Sequence, residues 1–137
     1  MGQKTGKGWY RYDAGDRTPK PDPAVSELVT QYRSEIGMTA RSITDQEIVQ
    51  RCVYALVNEG ARILEEGIAS RASDIDVVYL TGYGFPAGKG GPMFYAQTVG
   101  LNKVVESMRE FARNKHADPK FWQPAKLLLD AAESGKW

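Results

Sequence analysis

The chain has 137 residues and a mass of 15.2 kDa, enough for one domain that buries roughly two-thirds of its unfolded surface. Hydrophobic residues make up 42% and charged residues 26%, which excludes a disordered chain, and apolar runs of about five residues exclude a membrane-spanning helix, which needs ~20. Net charge is +1, yet residues 21–100 carry six Lys/Arg against ten Asp/Glu, and so acidic a middle excludes a nucleic-acid surface.

The first stretch, "MGQKTGKGWYRYDAGDRTPKPDP", is rich in glycine and proline and has no helical period, so residues 1–21 read as a linker or the tail of a preceding domain. Asp22-Pro23 is an N-cap followed by proline at the first helical position. Val25, Leu28, Val29, Tyr32 and Ile36 then recur at helical spacing until Gly37. This opens a helical domain over 22–137.

Thr44-Asp45-Gln46-Glu47 is a capping box and predicts the longest helix of the chain. Its buried stripe is expected to be Ile48, Val49, Cys52, Val53, Leu56, Ile63 and Leu64, ending at Gly67. Cys52, the single cysteine, is then a small core thiol in a reducing compartment. Asn58 and Glu59 interrupt the helix with polar groups. At least one must face inward, and the expectation is a structural clamp on the glycine-rich loop that follows, with Gly84, Pro86, Gly91 and Pro92 as its clamped positions. Glu65-Glu66 reads as a solvated turn.

"DIDVVYLTGYGFPA" at 74–87 looks like a strand entering a dinucleotide-binding glycine loop, but that fingerprint needs a helix to start within the motif so that free amides converge on a pyrophosphate. Gly88, Gly90, Gly91 and Pro92 forbid one there. Helical spacing of Ile75, Val78, Tyr79 and Gly82, with Ser73 as N-cap and an acid three residues on, predicts a short helix instead, and Pro92 starts another that runs to Gly100. The glycines turn the backbone. Lys89, inside that loop, is the one candidate for contact with a phosphate-bearing ligand.

Leu101, Val104, Val105, Met108, Phe111 and Ala112 form one apolar face, Asp118-Pro119 breaks the run, and a last helix near Pro124 buries Leu127, Leu128 and Ala131. The fold class is therefore all-α, a compact domain of five to six helices on one long central helix. His116 reads as a solvent-facing helix-end cap. No catalytic residue, cofactor-binding residue or metal ligand is assigned to this chain.

Residues 48–101, "IVQRCVYALVNEGARILEEGIASRASDIDVVYLTGYGFPAGKGGPMFYAQTVGL", resemble the C-terminal helical domain of 3-hydroxyacyl-CoA dehydrogenases, and more narrowly the second of the two tandem helical copies in multifunctional fatty-acid oxidation enzymes. "GKGWYRY" and "FWQPAKLLLDAAESGKW" resemble, respectively, the tail of the preceding copy and the end of those enzymes. The resemblance implies a fold like the C-terminal domain of 6-phosphogluconate dehydrogenase. It also implies NAD in a Rossmann domain of the parent and none here, with the preceding helical copy and that Rossmann domain as partners. Where the catalytic copy reads Ile-Val-Asn-Arg, this chain has Ile48-Val49-Gln50-Arg51, so it is expected to be non-catalytic; Gly60 and Gln97 stand where the family usually has alanine and aspartate. Alternatives are an isolated acyl-CoA-binding module at Lys89 or a self-associating one, a homodimer when isolated. The terminal "GKW" is not a peroxisomal address, so a bacterial cytoplasm is expected.

Overall fold

The computed structural model describes residues 2–137, which form two compact units, 2–42 and 43–137. The division falls one helix later than the break expected at residue 21. In the first unit, β1 (Tyr10–Arg11) pairs antiparallel with β2 (Lys20–Pro21), Tyr10 opposite Pro21 and Arg11 opposite Lys20. Lys20 bridges to Asp13 and, at 3.6 Å, to Asp16, so the stretch expected to be a linker is a closed hairpin. Helix α1 (Pro23–Glu35) follows, its first turn capped by the Asp22 carboxylate accepting from the Ala24 amide at 3.1 Å. Trp9 and Tyr10 face Val25, Val29 and Arg33 across a groove of about 530 Å³, which is why α1 belongs with the hairpin.

The second unit is all-α: α2 (Asp45–Glu65), α3 (Ala72–Gly82), α4 (Pro92–Val99), α5 (Leu101–Ala112) and α6 (Lys126–Ser134). No helix among the described residues is long and apolar enough to cross a membrane. α2, about 32 Å long at 1.5 Å per residue, starts at Thr44, whose hydroxyl accepts from the Glu47 amide at 3.1 Å. It packs against all four other helices, while α5 lies between α4 and α6. The core is drawn from Tyr54, Val57 and Ala61 of α2, Met93 and Ala96 of α4, Leu101, Val104, Val105, Met108 and Phe111 of α5, and Leu128, Ala131 and Ala132 of α6. The strand-like stretch at 74–82 is indeed helical.

Several local expectations need correction. None of the seven residues assigned to the buried stripe of α2 is buried; the inward face is Tyr54, Val57, Asn58, Gly60 and Ala61. α2 is apolar on both sides, and the neighbouring helices take the side whose small residues allow close approach. Cys52 is accordingly exposed rather than a core thiol. α3 begins after Arg71, with the Asp74 carboxylate accepting from the Arg71 amide at 3.0 Å, so Ser73 is inside the helix and not its cap. His116 is half-buried and its Nε2 is shielded without a partner, so it is not a solvent-facing cap. Leu127 is half-buried, not buried.

Candidate functional site

The connector between α3 and α4 carries glycines because its backbone must reach a buried carboxylate. Asp76, 8% exposed, accepts from the Met93 amide at 2.8 Å and the Phe94 amide at 3.1 Å. It thus caps the first turn of α4 from a neighbouring helix, where the residue at the cap position, Gly91, has no side chain to do so. Gly91 has φ +99°, and a Cβ there would lie 2.6 Å from Asp76 Cγ. Burial pushes the Asp76 carboxyl above its ordinary 3.8, and the two amide bonds pull it back.

The rest of the connector is fixed locally. The Phe85 amide donates to the Tyr79 carbonyl at 3.0 Å, and the two rings meet edge to face. Gly84 takes φ +69°, Pro86 precedes a short 3₁₀ turn over Ala87–Lys89, and Pro92 is buried at the first position of α4. Lys89 is exposed, with its Nζ 5.7 Å above the Tyr95 ring.

Asn58 is a clamp, but of a different connector from the one expected. Its side chain is 2% exposed; Oδ1 accepts from the Ala125 amide at 2.8 Å and Nδ2 donates to the Gln123 carbonyl at 3.0 Å. Arg62 donates to the same carbonyl at 3.3 Å, and Glu65 accepts from the Leu127 amide. Asn58, Arg62 and Glu65 recur at one helical face, so α2 holds the entry to α6; Glu65 is exposed, as expected, and also caps that helix through its bond from the Leu127 amide. Glu59 points outward and meets Arg62 at 3.5 Å; it clamps neither connector. Asp76 is the residue that sequence reasoning missed. The signal was present: Gly90-Gly91 before a helix-starting proline leaves that helix without a local cap, so an acid from elsewhere has to supply one.

At the start of α2 an open cavity of about 370 Å³ is lined by Gln50, Tyr54, Tyr95, Lys103 and neighbours. Burial raises the Tyr54 hydroxyl above its usual range, with a smaller contribution from Tyr95, while a bond with Gln50 pulls the other way. The lining therefore offers amide and phenol hydrogen bonds. Gln50, the residue that departs from the catalytic pattern, lines this cavity together with Tyr54. Lys89 reaches this region only through the ring of Tyr95.

The outer face of α2 is one of the exposed apolar surfaces of the second unit. Ile48 is 51% exposed and Val49 48% exposed, Cys52 is exposed, and Leu56 and Ile63 are half-buried on the same side. These five residues line one side of the helix, opposite the face that completes the core.

Comparison with known proteins supplies the context. The family model for the 3-hydroxyacyl-CoA dehydrogenase C-terminal domain matches residues 48–137. The peroxisomal bifunctional enzyme of Danio rerio is 53% identical over 136 residues, covering 98% of this chain and 19% of that protein. Its Homo sapiens counterpart is 49% identical over the same shares. The peroxisomal fatty acid beta-oxidation multifunctional protein AIM1 of Arabidopsis thaliana is 36% identical over 138 residues, 98% of this chain and 19% of that protein. The chain thus spans about a fifth of the length of these relatives. Relatives this similar carry peroxisomal names, which overturns the bacterial-cytoplasm expectation drawn from three terminal residues. The chain belongs to the 3-hydroxyacyl-CoA dehydrogenase C-terminal domain family.

Proposed function

We propose that this chain is the helical, non-catalytic structural and interface module at the C-terminal end of a multifunctional fatty-acid β-oxidation enzyme. The parent joins an enoyl-CoA hydratase to an NAD-dependent 3-hydroxyacyl-CoA dehydrogenase, and works in the peroxisome. The observation that carries the reading is the outer face of α2: the second unit completes its core with the opposite side of that helix and leaves Ile48, Val49 and Cys52 on the surface. That face packs on the preceding helical copy of the parent, which together with the Rossmann domain holds NAD and the acyl-CoA cleft.

Two measurements test this. The isolated chain should give no NADH oxidation with acetoacetyl-CoA; turnover above background overturns the non-catalytic assignment. In the full-length enzyme, Ile48→Asp should lower Tm and dehydrogenase activity while leaving the helical content of the isolated chain unchanged. An unaltered full-length enzyme would sink the interface assignment.

A further inference from the structure

The outer face of α2 is not purely apolar. Asp45, Glu59 and Glu66 are exposed and recur on the same side as Ile48, Cys52, Leu56 and Ile63, at the two ends of the stripe and within it. Glu59, with its side chain 62% exposed, meets Arg62 at 3.5 Å, and Arg62 is shared with the Gln123 carbonyl. Any surface that covers the stripe also takes Glu59 out of water, and Arg62, at 3.5 Å and shared with the Gln123 carbonyl, compensates that carboxylate only in part, so a further cation on the covering surface is favoured. Symmetry adds a second constraint. An antiparallel pairing of two α2 stripes sets Asp45 of one copy against Glu66 of the other, and a parallel pairing sets Glu59 against Glu59; both juxtapose like charges.

We infer that the occupant of this face is not a second copy of the chain but a different helical surface, one whose apolar stripe is flanked by lysine or arginine placed to meet Asp45, Glu59 and Glu66. This rests on the interface reading above and specifies its partner. The apolar stripe supplies contact area, and the acids select against self-pairing and fix the register of the helix that docks.

Cys52 is the single cysteine and is exposed on the stripe, so its alkylation by iodoacetamide reports coverage directly. The full chain is mixed with synthetic amphipathic helical peptides of the length of α2 that share one leucine stripe and differ only in lysine or glutamate flanks. A scrambled lysine peptide without a stripe serves as control. The lysine-flanked peptide should slow alkylation at least about tenfold, with the effect shrinking as salt screens the rim, whereas the glutamate-flanked and scrambled peptides should not. Glu59→Lys, which changes an exposed side chain and is checked for unchanged circular dichroism and Tm, should lose most of that protection. Equal protection by both flanked peptides, protection by the scrambled one, or protection by none overturns the proposal. So does slowed alkylation at high protein concentration without peptide, which makes a second copy the occupant. If Ile48→Asp weakens the full-length enzyme while the peptides discriminate nothing, the partner chemistry fails and the interface role stands. If the peptides discriminate while Ile48→Asp is silent in the full-length enzyme, the reverse holds.

Discussion

Met93 occupies the space that Gly60 leaves: its sulfur lies 2.5 Å from where a Cβ at residue 60 would be, and its terminal methyl 3.2 Å away. The same residue donates its amide to Asp76 and accepts the Trp137 indole N–H at its carbonyl, 2.9 Å away. One fully buried methionine therefore joins α2, α3 and the C-terminal segment at the start of α4. Gly60→Ala gains up to about 1 kcal/mol of helix propensity but overpacks this contact by roughly 1–3 kcal/mol. The net expectation is a loss of about 1 kcal/mol in urea denaturation. In a Met93→Ala background the overpacking is gone, so the same Gly60→Ala change should become neutral or stabilising. A cycle with no coupling would show that residues 60 and 93 do not share the space.

Asp76 gives a prediction with a definite sign in pH. Asp76→Asn keeps the size but turns an N–H group toward one of two backbone donors, at a cost of about 1–3 kcal/mol. Because burial holds the wild-type carboxyl above 3.8, the folded state binds that proton more tightly than the unfolded state. The stability linked to this group is thus fully present below the unfolded value and is lost as pH rises through the folded one. Wild type should exceed Asp76→Asn most at about pH 3, and the gap should narrow toward about pH 7. A gap that widens with pH would mean that the amide bonds, rather than burial, dominate.

Gly91→Ala should cost more than either. It combines a left-handed backbone, worth about 1–2 kcal/mol, with a collision against the Asp76 carboxylate and a backbone that cannot retreat. A loss of about 3 kcal/mol or more in thermal unfolding is expected; a loss below about 1 kcal/mol would mean that the carboxylate can leave its position. Gly88, around which no atom lies within 4 Å of a built Cβ and whose φ is not positive, should accept alanine with little change.

The sequence carries local information well and cross-helix information poorly in this fold. In α5, Leu101, Val104, Val105, Met108 and Phe111 are all buried as their spacing predicts, because that helix has a single apolar face. In α2 the period shows which residues share a side, but both sides are apolar, and only the packing of α3 to α6 decides which one they cover. Asn58 is legible as an inward polar group, yet its partners lie more than sixty residues away, and no local pattern encodes them. Asp76 has local features of a capping acid within its own helix, and only its position across from Met93 gives it another role.

Asn58 is the polar counterpart of Met93 on the other side of α2. Replacing it with alanine removes both bonds to the connector before α6. The Ala125 amide then has no acceptor, although Arg62 still serves the Gln123 carbonyl. A loss of about 2–4 kcal/mol is expected, since a buried donor goes unpaired and a small cavity opens. Asn58→Asp keeps the acceptor for Ala125 but places a carboxylate against the Gln123 carbonyl, so it should not rescue stability at neutral pH. Recovery to wild-type stability by aspartate would mean that the Gln123 bond contributes nothing.

The assignment of the two faces of α2 is open to direct test in the isolated chain. Val57 is fully buried among α4, α5 and α6 neighbours, so Val57→Ala should cost about 1–3 kcal/mol through lost transfer energy and a cavity. Val49→Ser removes a side chain that is half in water and should change stability by no more than about 0.5 kcal/mol. Hydrophobicity alone ranks these two valines equally. A chain whose buried side were the one carrying Ile48, Val49 and Cys52 would give the opposite order, because the serine hydroxyl would then be placed in the core without a partner. Urea midpoints of the two variants decide between the arrangements. The proposed interface adds a separate expectation: Val49→Ser, silent in the isolated chain, should lower the stability of the full-length enzyme, because a side chain half in water here would be covered there.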